Sequence, residues 1–145
     1  MEQRFEMFTV LINRISRNIR KIKNHEMAAY DLRSAHISCL YYLYIHDGLT
    51  ATDLCEHCEE DKATISRALD YLETNDYLTC QSTKRYKAPL TLTEKGKTVG
   101  KQIADKIGYV LKQMDVGLTE EERRIFYRCL TVISNELEDI SNGNN

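Results

Sequence analysis

Apolar residues recur along this chain at two different periods, and the change between Leu49 and Leu92 predicts a helical hairpin followed by a strand hairpin. Thr50 and Asp53 have the spacing of a capping box that opens a short helix, with Leu54, Cys55 and Cys58 at its inward positions. Glu59-Glu60 makes the turn. Asp61 caps a second helix in which Ile65, Ala68, Leu69 and Leu72 form one apolar stripe, while Lys62, Thr64, Ser66, Arg67 and Asp70 look outward. Tyr77-Leu78-Thr79-Cys80 then reads as a strand, Gln81 to Lys87 as an exposed basic turn, and Ala88 to Leu92 as a returning strand with Leu90 and Leu92 on one face. Pro89 cannot donate a ladder hydrogen bond, so the returning strand belongs at an edge.

The rest of the chain is helical in pattern. Ser34 to Ile45 predicts a scaffold helix beneath the hairpin, and Glu94 to Met114 a long helix with Val99, Ile103, Ile107, Leu111 and Met114 inward. Phe5, Phe8, Ile12, Ile15, Ile19 and Ile22 recur in steps of three and four, a narrow seam rather than a broad core face. Phe126, Leu130, Ile133, Leu137 and Ile140 repeat those steps after a helix start at Thr119, where Glu120-Glu121-Glu122 offset the helix dipole. The two terminal seams either pack on each other within one chain or take a second copy; we favour the second copy. Ser141 to Asn145 reads as a frayed end.

An exposed helix face that opens with Lys62, Ala63, Thr64, Ser66 and Arg67 suits a DNA major groove. Short hydroxyls reach base edges or phosphates, arginine can bond guanine bidentately, and amides at a helix start attract phosphate. A basic hairpin tip carrying Lys84, Arg85 and Lys87 is a second contact, to backbone or minor groove. The net charge of −2 would oppose this if it were spread evenly, but the charge is local. Between Lys62 and Lys101 eight basic residues face four acidic ones, whereas from Leu118 to Asn145 six acidic residues face three arginines. With 145 residues the chain reads as a single domain, able to bury about two-thirds of its unfolded surface. No run of about eighteen apolar residues and no signal-peptide core occur, so a cytoplasmic protein with no membrane partner is expected.

These blocks resemble the MarR (multiple antibiotic resistance regulator) family of bacterial winged-helix transcription factors. The likeness rests on Asp61-Lys62-Ala63-Thr64-Ile65-Ser66-Arg67, on Leu72-Glu73, and on Leu92-Thr93-Glu94-Lys95-Gly96 closing the wing, with ungapped spacing and matching helices on either side. It implies a mainly α fold with a small β wing: a winged helix over about 34–96, and dimerisation helices over about 3–24 and 97–140. It also implies a homodimer that binds a pseudo-palindromic double-stranded operator, most often as a repressor, under small-molecule control. The family usually has glycine where Asp76 stands, and braces its wing with an Asp and an Arg where this chain has Lys84 and Tyr86. Tyr30, Tyr41, Tyr42 and Tyr44 crowd the region of the family's ligand pocket and suit a small aromatic effector, against the plainer reading as core and interface residues.

The five cysteines raise a redox or metal-responsive alternative, since Cys55-Glu56-His57-Cys58 has CxxC spacing. Both thiols fall at inward positions and no second CxxC completes a zinc site, so packing is the favoured reading, for Cys39 and Cys129 as well. Cys80, on the first wing strand, is expected to be more exposed. His25, His36, His46 and His57 are scattered without i,i+4 pairing, so neither metal nor cofactor is expected. The chain has no glycine-rich phosphate loop, nucleophile elbow or HExxH, which argues against an enzyme. A winged helix that binds protein instead of DNA is the remaining rival.

Overall fold

The computed structural model describes residues 2–58, 60–80 and 87–143. Its elements in chain order are α1 (Glu2–Glu26), α2 (Ser34–Ile45), α3 (Ala51–Cys58), α4 (Lys62–Thr74), β1 (Leu78–Cys80), β2 (Leu90–Leu92), α5 (Glu94–Met114) and α6 (Glu120–Ser141). Single 3-10 turns occupy Ala28–Tyr30 and Asp115–Gly117. Internal packing divides the chain into two compact units, residues 1–104 and 105–145.

In the first unit α2, α3 and α4 pack on one another, and the two strands close the core beside them. Ile37 and Leu40 of α2, Leu54 of α3, and Ile65, Leu69 and Leu72 of α4 are fully buried, which places the predicted stripe of α4 against its neighbours. Burial of each such side chain stabilises by about 1.5–3 kcal/mol. The start of α3 carries its capping box: Thr50 N donates to Asp53 Oδ2 at 2.9 Å, and Asp53 N to Thr50 Oγ1 at 3.2 Å. Its inward positions are Ala51 and Leu54, however. Cys55 and Cys58 are half-buried rather than core residues, because an eight-residue helix turns only a narrow stripe toward α2 and α4.

The wing is an antiparallel pair, with Leu78 opposite Leu92 and Cys80 opposite Leu90. Leu90 and Leu92 turn inward together, as the period-two pattern requires. Leu90 N also donates to Leu49 O at 2.9 Å, so the segment before α3 lends the wing a third backbone partner. Both strands are shorter than their sequence pattern.

A tight corner joins α4, β1 and α5. Asp76 has a left-handed backbone (φ 64°), the conformation that glycine would hold at lowest cost and that aspartate tolerates better than most residues. The glycine usual at this place in the resembled family therefore has a physical reason. Thr93 Oγ1 donates to Asp76 O at 2.5 Å and accepts from Gly96 N at 3.1 Å, while Thr93 N donates to Tyr77 O at 3.1 Å. Lys95 Nζ donates to Asn75 O at 2.8 Å and lies 4.2 Å from the centre of the Tyr77 ring. Gly96 approaches the Tyr77 carbonyl so closely that a Cβ there would sit 2.0 Å from its oxygen.

α1 runs its full predicted length, and its seam is open to solvent: Phe5 is 72% exposed and Ile15 49%. In the second unit no described residue is buried. Within α5, Val99 and Ile103 are buried as expected and Ile107 half-buried, but Leu111 and Met114 are exposed because no described residue covers them. α6 starts at a capping box between Thr119 and Glu122, with Arg123 paired to Asp115 at 3.2 Å. Phe126, Ile133, Leu137 and Ile140 remain exposed along it. No described helix is long and apolar enough to cross a membrane.

Candidate nucleic-acid interface

Asp61 sets the start of α4. Its Oδ1 accepts Thr64 N at 2.7 Å, and this backbone bond, with a further bond to the Thr64 side chain, holds its carboxyl below the usual range. Asp53 is lowered in the same way by the Thr50 amide and hydroxyl. Each aspartate therefore stabilises the fold fully above the unfolded carboxyl pKa of about 3.9, and loses that effect as pH falls toward the lower folded values. We expect the melting temperature to drop between about pH 5 and pH 3, and the drop to shrink in Asp61→Ala and Asp53→Ala. Equal drops in all three proteins would contradict the assigned caps.

With the apolar stripe of α4 committed to the core, the opposite face presents its polar residues. Lys62, Ala63 and Arg67 are exposed, and Thr64 and Ser66 half-buried. Arg67 Nη2 lies 3.5 Å from Thr64 Oγ1, one turn back on the same face. This brings the five predicted residues of the helix onto one open surface. It is cationic at Lys62 and Arg67, hydroxyl-bearing between them, and next to the helix start where amides favour an anion.

Of the predicted wing residues, Lys87 is exposed, whereas Lys84 and Arg85 lie outside the described residues, as does Tyr86. The four tyrosines do not share one neighbour. Tyr30 donates to Gln102 Oε1, and Tyr44 seats against Gly100, where a Cβ would meet the Tyr44 Cβ at 2.8 Å. Tyr41 meets Tyr42 edge to face at 5.2 Å, and Tyr42 stacks on His57 at 5.1 Å, which in turn stacks on His46 at 5.4 Å. His36, absent from the sequence-based site, accepts a bond from Arg33 N at 3.0 Å and stacks on Tyr71 at 4.4 Å. Tyr71 in turn donates to Asp31 O at 2.8 Å, which ties α4 to the segment before α2. Burial holds the imidazole of His36 below its ordinary pKa.

A three-helix core, a capped helix with an open polar face, and an antiparallel hairpin leading into α5 together define a winged helix-turn-helix protein. Residues 30–85, which include the whole helix-turn-helix, match the model of the MarR family, and the fold is that of MarR family regulators. A MarR family regulator from Neisseria meningitidis matches at 19% identity over 98% of this chain and 99% of its own, with a TM-score of 0.82. A MarR family transcriptional regulator from Silicibacter pomeroyi matches at 27% identity over 85% of this chain and 84% of its own, with a TM-score of 0.75. Staphylococcus aureus MepR, in a complex with DNA, matches at 22% identity over 90% of this chain and 96% of its own, with a TM-score of 0.79. No curated protein matches the chain in sequence.

Proposed function

We propose that this chain is a DNA-binding transcriptional regulator, a repressor acting as a homodimer on a pseudo-palindromic operator. The observation that carries the reading is the open face of α4, on which Lys62, Ala63, Thr64, Ser66 and Arg67 stand together while Ile65, Ala68, Leu69 and Leu72 are held in the core. Arg67, Thr64 and Ser66 would read base edges; Lys62 and the wing cations Lys84, Arg85 and Lys87 would contact phosphates. MepR, with the same fold, has been seen bound to DNA. In this reading residues 34–96 are the reading head and the helices over 3–24 and 97–140 the dimer contacts, all within one working domain. A protein-binding winged helix would have no need of this cationic, hydroxyl-bearing face.

The dimer is supported by the apolar stripes of α1 and α6, open along their lengths, and by a second unit that fully buries none of its described side chains. Faces this large and apolar are characteristic of subunit contacts. Light scattering should give twice 16.9 kDa, about 34 kDa, at micromolar concentration. A mass of one chain would sink the dimer. Selection of bound sequences from a random duplex pool should enrich two half-sites with centres about one helical turn apart. Enrichment of a single unpaired half-site, or of nothing, would count against the mode of binding.

Control by a small aromatic molecule is a second reading, favoured by the row of rings Tyr41, Tyr42, His57 and His46 between α2 and α3. An aromatic effector stacked there would act where the scaffold meets the helix-turn-helix.

A further inference from the structure

The outward face of α4 carries one residue whose charge opposes DNA. Opposite the buried line of Ile65, Ala68, Leu69 and Leu72, the positions Ala63, Arg67, Asp70 and Thr74 follow one another in steps of four, three and four residues and make a single row along the helix. All four are exposed. Of the two acidic residues within α4, Glu73 lies off this row and is half-buried, so Asp70 alone brings a carboxylate to the crest of the face. Asp61, just before the helix, aims its carboxyl back at Thr64 N, 2.7 Å away. On a surface that meets phosphates, a carboxylate lowers affinity, because the two charges have the same sign.

We propose that Asp70 is a specificity-determining residue that accepts a hydrogen bond from the N4 amino group of a cytosine in the major groove of each half-site. The inference rests on the DNA-binding function proposed above and adds to it a residue and the base that it selects.

Placement on the helix supports this role. An α-helix advances about 1.5 Å per residue, so Asp70 lies about 4.5 Å along α4 from Arg67, close to the roughly 3.4 Å between successive base pairs. With Arg67 over a guanine, Asp70 is over an adjoining base pair. The row opens on Ala63, whose methyl group leaves the start of the helix free to approach the groove floor, as the short aspartate side chain requires.

The chemistry of the base edges then selects among the four bases. A carboxylate accepts hydrogen bonds and donates none. In the major groove guanine presents the acceptors N7 and O6, and thymine the acceptor O4 with a methyl group. Adenine sets its N6 amino group beside the acceptor N7, which repels a carboxylate, whereas the edge of cytosine offers the N4 amino group alone. Asp70 is therefore matched by cytosine, matched less well by adenine, and opposed by guanine and thymine. Arg67 seeks acceptors and Asp70 seeks a donor, so a guanine adjoining a cytosine is the step that suits the two together. On random duplex no such bond offsets the repulsion from phosphates, and the same carboxylate lowers background binding. Its unfavourable charge thus serves discrimination twice, by accepting one base and by weakening the hold on all other sequences.

The test is selection from a random duplex pool with the full-length wild type, Asp70→Asn and Asp70→Ala, followed by fluorescence anisotropy on the selected and random duplexes. We expect the wild type to enrich cytosine at one position of each half-site. Asp70→Asn should change that position alone to adenine, since an amide can both donate to N7 and accept from N6, and Asp70→Ala should show no preference there. Replacing the C·G pair by T·A should cost the wild type about tenfold in affinity and the alanine variant less than about twofold. Both variants should bind random duplex about threefold more tightly than the wild type at low salt, because a like charge is gone. A purely structural Asp70 would instead lower the melting temperature and weaken every duplex alike, and that result would overturn the proposal. So would identical selected sequences from the wild type and Asp70→Asn when the wild type enriches paired half-sites; the DNA-binding function would then stand without this residue. A wild type that enriches no sequence would overturn the proposed function, and the role of Asp70 with it.

Discussion

Replacing Gly96 by alanine should cost about 3 kcal/mol or more of folding stability, lowering the denaturation midpoint and melting temperature far more than a surface substitution would. The added Cβ would lie 2.0 Å from the Tyr77 carbonyl oxygen and 3.1 Å from Leu92 Cδ2. The obstacle at 2.0 Å is backbone, and the backbone is fixed on both sides. Tyr77 N is bonded to Leu72 O at 2.8 Å and Tyr77 O receives Thr93 N, so moving the carbonyl would disturb the end of α4 and the start of α5 together. Urea titration followed by circular dichroism measures the loss. A change below about 0.5 kcal/mol, the range of an ordinary surface site, would show that the corner yields to an added methyl.

Arg67→Ala should leave stability nearly unchanged and damage recognition. The side chain is exposed on the outer face of α4, one turn in from its start, where it can reach a base edge or the flanking phosphate. Its loss should cost roughly 1–3 kcal/mol per half-site and reduce discrimination between the selected duplex and a scrambled one. Arg85→Ala, at the wing tip, should instead weaken both duplexes by similar factors and lower the salt slope by about one unit for each phosphate no longer neutralised. Fluorescence anisotropy on both duplexes separates the two behaviours. Unchanged affinity and discrimination in Arg67→Ala would mean that α4 is not the reading helix.

Features set by local chemistry were legible in the sequence. Thr50 with Asp53, Asp61 with Thr64 and Thr119 with Glu122 are capping contacts over three residues, and α2 has the expected bounds Ser34–Ile45 because its apolar pattern needs no distant partner to be recognised. What was hidden depends on approach between separate segments. Met27 and Leu32 are core residues in an irregular stretch that has no period to reveal them. Gly96 belonged to a motif, but the reason for glycine is the carbonyl of Tyr77, on the far side of the wing. On the recognition face the outward residues followed from the stripe that α4 buries, and their grouping at the helix start followed from the cap. The wing tip carried a charge signal only, and Lys84 and Arg85 lie outside the described residues.

If the α4 face and the wing hold duplex DNA largely through their cations, binding must release counterions and weaken as salt rises. Anisotropy of the wild-type protein on the selected duplex, repeated at several salt concentrations, reads this without any substitution. We expect a linear fall of log affinity with log salt, with a slope of about −0.9 for each phosphate neutralised, and a shallower slope when Arg85 or Lys62 is replaced by alanine. Affinity that does not change with salt, or no binding to any duplex at low salt, would refute DNA binding through these cations.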